Sequence, residues 1–143
     1  KLEKAHQCGL EYAVNPEQEN LEQAILNTFG PDKADLILEC VGVQGTITQA
    51  IAVARKGSPI IVVGVFGQKP VVDLGLVQDR ELSLIGTLMY QKKDYERAIE
   101  LVSNGKLRLD QMVTHRFAFK DYLAAYQAID SSAGKYMKVM IDL

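Results

Sequence analysis

This sequence is poor in the residues that build metal centres. It holds two cysteines, Cys8 and Cys40, and two histidines, His6 and His115. Catalytic zinc needs three protein ligands and structural zinc four, so no zinc is expected on this chain. The cysteines fall in a predicted helix and a predicted strand and form no zinc-type pair. Both are expected to be small buried hydrophobes in a reducing, cytoplasmic setting. No basic block is present and the net charge is −2, which argues against nucleic acid or an anionic membrane as partner. No apolar run approaches the roughly 20 residues that span a bilayer. Lys1–Leu10 reads as a polar helix end rather than an apolar leader. Also missing are a G-x-G-x-x-G turn after a strand, an internal repeat beyond β-α alternation, and any low-complexity segment.

What remains is an ordinary globular composition, 48% hydrophobic and 24% charged over 143 residues. That suits one domain, or one domain with a tail. The most informative stretch is Ala34–Gly64. Two short apolar runs, Leu36–Val41 and Ile60–Val65, each meet a glycine, Gly42 or Gly64. Between them Ile47, Ala50, Ile51 and Ala54 recur at helical spacing. This is the pattern of a β-α-β unit with parallel strands buried on both faces. Ligands of such sheets gather at the carboxyl ends of the strands, where both glycines fall. Glycine there lets a ligand approach the backbone closely.

Around this unit the chain reads as further alternation. Lys1–Gly9 is helical with no cap in front, as though it continued something longer. Tyr12–Val14 is predicted to be a short strand. Asn15, Pro16 and Gln18 predict a helix start with a capping box. Leu21, Ala24, Ile25 and Thr28 continue that helix until Gly30-Pro31 stops it. Phe66–Val77 is predicted to be a loop long enough to line a ligand, and Leu82–Leu88 a strand. Tyr95, Ala98, Ile99 and Val102 predict a helix ended by Asn104-Gly105. Beyond Gly105 come an extended Val113–Phe117, a helix carrying Tyr122, Ala125, Tyr126 and Ile129, and a final strand Met137–Leu143.

Several strings, in this order, resemble the carboxyl-terminal half of the zinc-containing medium-chain alcohol dehydrogenases, in particular sorbitol, butanediol and threonine dehydrogenases. They are Leu2-Glu3-Lys4-Ala5 with Gly9, Asp35–Gly42, Ile61–Gly64, Glu81–Thr87 and Val113–Phe117. The resemblance covers nearly the whole chain. Val113–Phe117 and the final Gly-Lys-x-x-Lys-Val strand are not general features of doubly wound sheets.

The resemblance implies a Rossmann-like doubly wound parallel sheet lacking its first two strands. Residues 1–105 would be a partial nucleotide-binding domain, and 106–143 a segment returning toward the catalytic domain. It implies NAD or NADP as cofactor, with zinc held only by the parent protein, and hydride transfer from a small alcohol or polyol. The chain alone is then expected to be inactive. The backbone at Val63 and from Thr87 through Leu88 to Met89 would grip the nicotinamide carboxamide. Val41 and Gly42 would pack on the nicotinamide and its ribose. Val65 and Leu88 would add apolar contact, Gly64 would allow close approach, and Lys138 would meet the pyrophosphate. The strand Leu82–Leu88 would pair with a second copy in a homo-oligomer.

Other roles stand beside these. Val41, Val63 and Val65 would be core residues in any α/β protein, the glycines could simply end strands, and Lys138 could be solvated. His115 suits a structural role, and Tyr90 either a substrate mouth or an exposed surface. Glu39, late in a buried strand, suits hydrogen bonding to backbone better than proton transfer. Gln91–Asp94 suits a solvated helix start. Three other functions fit parts of the pattern: a zinc-free quinone oxidoreductase-type reductase, an S-adenosylmethionine methyltransferase core, and a non-enzymatic assembly module.

Overall fold

A computed structural model describes residues 1–107, 109, 112–132 and 134–143. Its elements in chain order are α1 (Leu2–Gln7), α2 (Leu21–Phe29), β1 (Ile37–Glu39), α3 (Gln44–Val53), β2 (Pro59–Val62) and α4 (Leu74–Asp79). After these come β3 (Ser83–Gly86), α5 (Lys92–Ser103), β4 (Val113–Ala118), α6 (Tyr122–Ser131) and β5 (Lys138–Asp142). They form two units, Val14–Met89 on the one hand and Lys1–Ala13 with Tyr90–Leu143 on the other. Among the described residues no helix is long and apolar enough to cross a membrane.

In the unit Val14–Met89, β1, β2 and β3 form a parallel sheet in that order, Ile37 opposite Ile60 and Ile61 opposite Ile85. The α/β architecture with parallel strands is therefore the one the sequence predicts. Ile47, Ala50, Ile51 and Ala54 of the α3 segment close over Ile60 and Leu82, with Leu76 and Val77 of α4 packed at the margin. Ile60 is fully buried. The carboxyl end of α3 has no side-chain cap, and its carbonyls are met from elsewhere. Arg80 Nη1 donates to Ile51 O at 3.2 Å and to Ala52 O at 2.8 Å, and Lys33 Nζ donates to Ala52 O at 3.0 Å. Cations suit this end of a helix, where the unpaired carbonyls concentrate negative charge.

Four expectations are corrected here. Tyr12–Val14 forms no strand, since no neighbouring strand offers it a ladder. Asn15 caps only a turn, its Oδ1 accepting from Glu17 N, and the helix starts at Leu21 behind Asn20, whose Oδ1 accepts from Gln23 N at 2.9 Å. The predicted loop Phe66–Val77 contains the start of α4, nucleated where Asp73 accepts from Leu76 N. The sheet is not buried on both faces. Leu38 is 60% exposed, and all four residues of β3 are exposed.

The cysteines are corrected as well. Both are exposed, because α1 buries no residue and Cys40 follows β1 at the sheet edge. In the other unit β4 and β5 pair in parallel, with an irregularity between Val113 and His115. Thr114 Oγ1 bridges it, donating to Lys138 O and accepting from Met137 N, both at 3.2 Å. Ala125 anchors α6 in this unit.

Candidate functional site

The carboxyl ends of β1 and β2 are tied together by one side chain. Glu39, the last residue of β1, is 3% exposed. Its Oε1 accepts from Val41 N at 3.0 Å, Gly42 N at 2.8 Å and Thr46 Oγ1 at 2.6 Å. Its main-chain carbonyl accepts from Val63 N at 2.8 Å and Gly64 N at 2.9 Å. Burial pushes the carboxyl upward, and the bonds from Thr46, Gly42 and Val41 outweigh it, so the group sits below the usual carboxylate range. Its second oxygen is buried without a partner. This is the backbone hydrogen-bonding role the sequence favours for Glu39. A carboxylate so occupied is poorly placed to move a proton.

The two glycines exist for packing. Gly42 adopts φ +79°, and a Cβ there would lie 2.5 Å from Val65 O. A Cβ on Gly64 would lie 2.3 Å from Gly42 N and 2.5 Å from Glu39 Oε2. The two turns thus touch backbone to backbone, which only glycine permits. That contact accounts for both residues without any ligand.

Beyond the glycines the chain is open. Val41, Val63, Val65, Leu88 and Met89 are exposed, Val65 at 77% and Leu88 at 79%. Val41, Val63 and Val65 are thus outside the buried core of this unit. Thr87 N is committed to Val62 O at 3.1 Å. The carbonyl of Val63 and the main-chain groups of Leu88 and Met89 have no partner among the described hydrogen bonds. Met89 holds φ +65°, an uncommon state for a side-chain-bearing residue. A cavity of about 400 Å³ lies beside these turns, lined by Gly42–Gln44 and Phe66–Pro70. All of these positions belong to Val14–Met89, whereas Lys138 lies in the other unit, exposed on β5.

Sequence reasoning missed two contributors. Thr46 completes the Glu39 cluster, and Gln44 reaches the loop 66–72. An uncapped turn carrying polar residues just after a strand-ending glycine is a signal that could have drawn attention to both.

The remaining candidates read plainly. His115 stacks on Tyr136 with ring centroids 3.5 Å apart, and its buried Nδ1 has no partner. Tyr90 is exposed, edge to face with Tyr95 at 5.7 Å. Gln91 N donates to Asp94 Oδ2 at 2.8 Å, closing the start of α5. No three of His, Cys, Asp and Glu gather among the described residues.

Comparison with known proteins follows the same lines. The profile of a family described as zinc-binding dehydrogenase matches residues 1–104. D-xylulose reductase of Saccharomyces cerevisiae is 31% identical over 99% of this chain and 41% of its own length. Sorbitol dehydrogenase of Halalkalibacterium halodurans is 28% identical, with the same two coverages. A solved zinc-binding dehydrogenase from Sinorhizobium meliloti 1021, bound to NADP, superposes with a TM-score of 0.84 at 26% identity, over 99% of this chain and 42% of that one. The chain thus spans about two fifths of the length of these proteins.

Proposed function

The chain belongs to the zinc-binding dehydrogenase family, and we propose that it forms the nicotinamide-gripping part of an NAD(P)-dependent alcohol or polyol dehydrogenase. The observation that carries this reading is the open ledge at the carboxyl ends of β2 and β3. There Val63, Leu88 and Met89 are exposed residues, and Val63 O and the main-chain groups of Leu88 and Met89 have no partner among the described hydrogen bonds. A carboxamide offers donors and an acceptor in one plane, so rigid main-chain groups of both kinds suit it. Ligands of open parallel sheets bind at this end. The similarity to a xylulose reductase and a sorbitol dehydrogenase supports a polyol as substrate. It favours this reading over a methyltransferase core, a quinone reductase or an assembly module.

Hydride acceptance is the chemistry that a nicotinamide held there would supply to alcohol oxidation, with the hydroxyl proton released to solvent. The chain's own residues would hold the nicotinamide. Val63 O would accept from the carboxamide nitrogen, and Leu88 or Met89 N would donate to its oxygen. Val41, Val65 and Leu88 would cover the ring with apolar surface and exclude water. Gly42 and Gly64 keep the two turns close enough to make one ledge, and Glu39 fixes the turn after β1. Thr87 contributes by holding β3 to β2 through its amide rather than by touching the ring. Lys138 is assigned to the pyrophosphate on charge alone. Zinc enters no step here. The segment 106–143 is assigned to the return toward the catalytic domain, and the free edge of β3 to pairing with a second copy.

The test uses the longer protein that carries this chain. It should reduce NAD or NADP with a polyol such as sorbitol or xylitol. Titration with the reduced cofactor should protect the amides of Leu88 and Met89 from exchange. Cofactor binding that leaves both amides unchanged would remove the assignment of the ledge. No nicotinamide binding at all would remove the reading itself.

A further inference from the structure

The loop Phe66–Val72 borders the cavity that Gly42–Gln44 also line, and one side chain holds it. Phe66 and Val72 pack on the core at its two ends. Between them the only described hydrogen bonds of the loop are two to Gln44, in the first turn of α3. Gln44 Nε2 donates to Val71 O at 2.9 Å, and Val71 N donates to Gln44 Oε1 at 2.7 Å. The amide meets the backbone as a neighbouring strand would, using one donor and one acceptor across 27 residues of chain. Its second N–H is directed to Thr48 Oγ1 at 3.0 Å, and Thr48 Oγ1 in turn donates to Gln44 O at 2.9 Å. Both N–H donors and the carbonyl oxygen of the amide are therefore engaged, and its orientation is fixed from within the helix. Neither end of the clamp is buried, so burial does not explain it.

We propose that Gln44 is a positioning residue for the dinucleotide site: it pins Val71, sets the opening between α3 and the loop Gly67–Pro70, and so fixes the wall of the cavity that Gly42, assigned above to the cofactor, also lines. This inference rests on the reading of the site given above. An amide is suited to the task because a single planar group satisfies both main-chain groups of Val71 at once. A carboxylate can accept from Val71 N but cannot donate to Val71 O. A thioether of the same length can do neither.

The experiment compares Gln44→Met and Gln44→Glu with the wild type in the longer protein. The first measurement is hydrogen exchange at Val71 N, which involves no ligand. The second is the dissociation constant for NADH and NADPH, followed by nicotinamide fluorescence, with kcat and KM beside it. Gln44→Met should expose the Val71 amide and weaken cofactor binding about tenfold, the scale of two lost hydrogen bonds. The loss should appear in KM for the cofactor more than in kcat. Gln44→Glu, keeping one bond of two at neutral pH, should fall between. A Val71 amide equally protected in Gln44→Met would overturn the clamp. An exposed Val71 amide with unchanged cofactor affinity would overturn its positioning role. A wild type that binds no nicotinamide would remove the dehydrogenase reading, and this inference with it.

Discussion

Replacing Gly64 by alanine tests the backbone contact at the centre of the site. The added Cβ would sit 2.3 Å from Gly42 N, 2.8 Å from Gly42 Cα and 2.5 Å from Glu39 Oε2. Two of the three neighbours are backbone, and the third is a buried carboxylate with no alternative position visible. Something must therefore shift. Overpacking of this kind costs about 1–3 kcal/mol. Moving Gly42 N away from Glu39 Oε1 adds the loss of a hydrogen bond to a charged group, about 1.5–3 kcal/mol. Together these give about 2.5–6 kcal/mol, a large share of the stability of a small domain. Gly42→Ala adds a left-handed penalty of about 1–2 kcal/mol to its own clash with Val65. Gly45 supplies the control. It lies in the first turn of α3 with nothing within 4 Å of its Cβ position. Gly45→Ala should stabilise by about 0.5–1 kcal/mol. Urea unfolding followed by far-UV circular dichroism, with exchange at the Ile60 amide reporting on this unit, gives all three values. Gly64→Ala within about 0.5 kcal/mol of wild type would show that the turns are not in contact, and the reasoning about the ledge would fail with it.

Four further outcomes follow from the same geometry. Glu39→Ala should cost more than Glu39→Gln, because alanine strands the amides of Val41 and Gly42 while glutamine still offers an acceptor; paired urea melts give the ordering. The Glu39 carboxyl is held low in the folded state, so its contribution is present above the unfolded carboxyl range and is lost as pH falls through the folded value. Wild type should therefore lose more stability on acidification than Glu39→Gln, and parallel acid titrations would refute the assignment. Arg80→Ala removes the two carbonyl contacts at the end of α3 and should destabilise by about 1–2 kcal/mol, read by thermal melting. Leu84→Pro should abolish pairing through β3 without disturbing its ladder to β2. Ser83 N and Thr87 N point toward β2, so by strand alternation Leu84 N points to the free edge, where proline is tolerated. Sedimentation of wild type as a monomer would remove this pairing altogether.

The Ala34–Gly64 unit was legible because three independent signals agreed: β-branched runs of strand length, a helical stripe between them, and a glycine at each carboxyl end. The same agreement let the sequence identify Glu39 as a backbone-bonding group, since a carboxylate at the end of a buried strand needs donors, and the turn that follows supplies them. Where only one signal existed, the reading failed. Tyr12–Val14 had strand composition but depended on a neighbour to supply its ladder. Asn15-Pro16 had the composition of a helix start, yet an equally good cap at Asn20 lay five residues on. Gln44 was invisible because its partner is 27 residues away, and no local pattern encodes that distance.

The free edge of β1 connects the fold to the site. Among the described residues β1 pairs with β2 alone, and Glu39 O, which accepts from Val63 N and Gly64 N, faces that partner. Alternation then turns the main-chain groups of Leu38 outward. The sequence leads one to expect this edge to be covered, by a rearranged strand of this chain or by another chain, because buried unpaired backbone is costly. No described strand of this chain does so. The expectation assumed that the edge would be buried. Leu36, Leu38 and Val41 are instead more than half exposed, so water can satisfy the outward amides and the penalty does not arise. What the edge exposes is apolar surface next to polar backbone, a template for strand addition. In the dehydrogenase reading, a strand added there would lie beside Val41 and Gly42 and complete the floor under the dinucleotide. The Glu39 cluster holds the turn after β1 without that strand, through bonds from Val41 and Gly42 of the turn itself, from Thr46 of α3, and from Val63 and Gly64 just past β2. The ledge at Val63, Leu88 and Met89 can therefore be formed within Val14–Met89; in the dehydrogenase reading, dinucleotide affinity would depend on what pairs with β1.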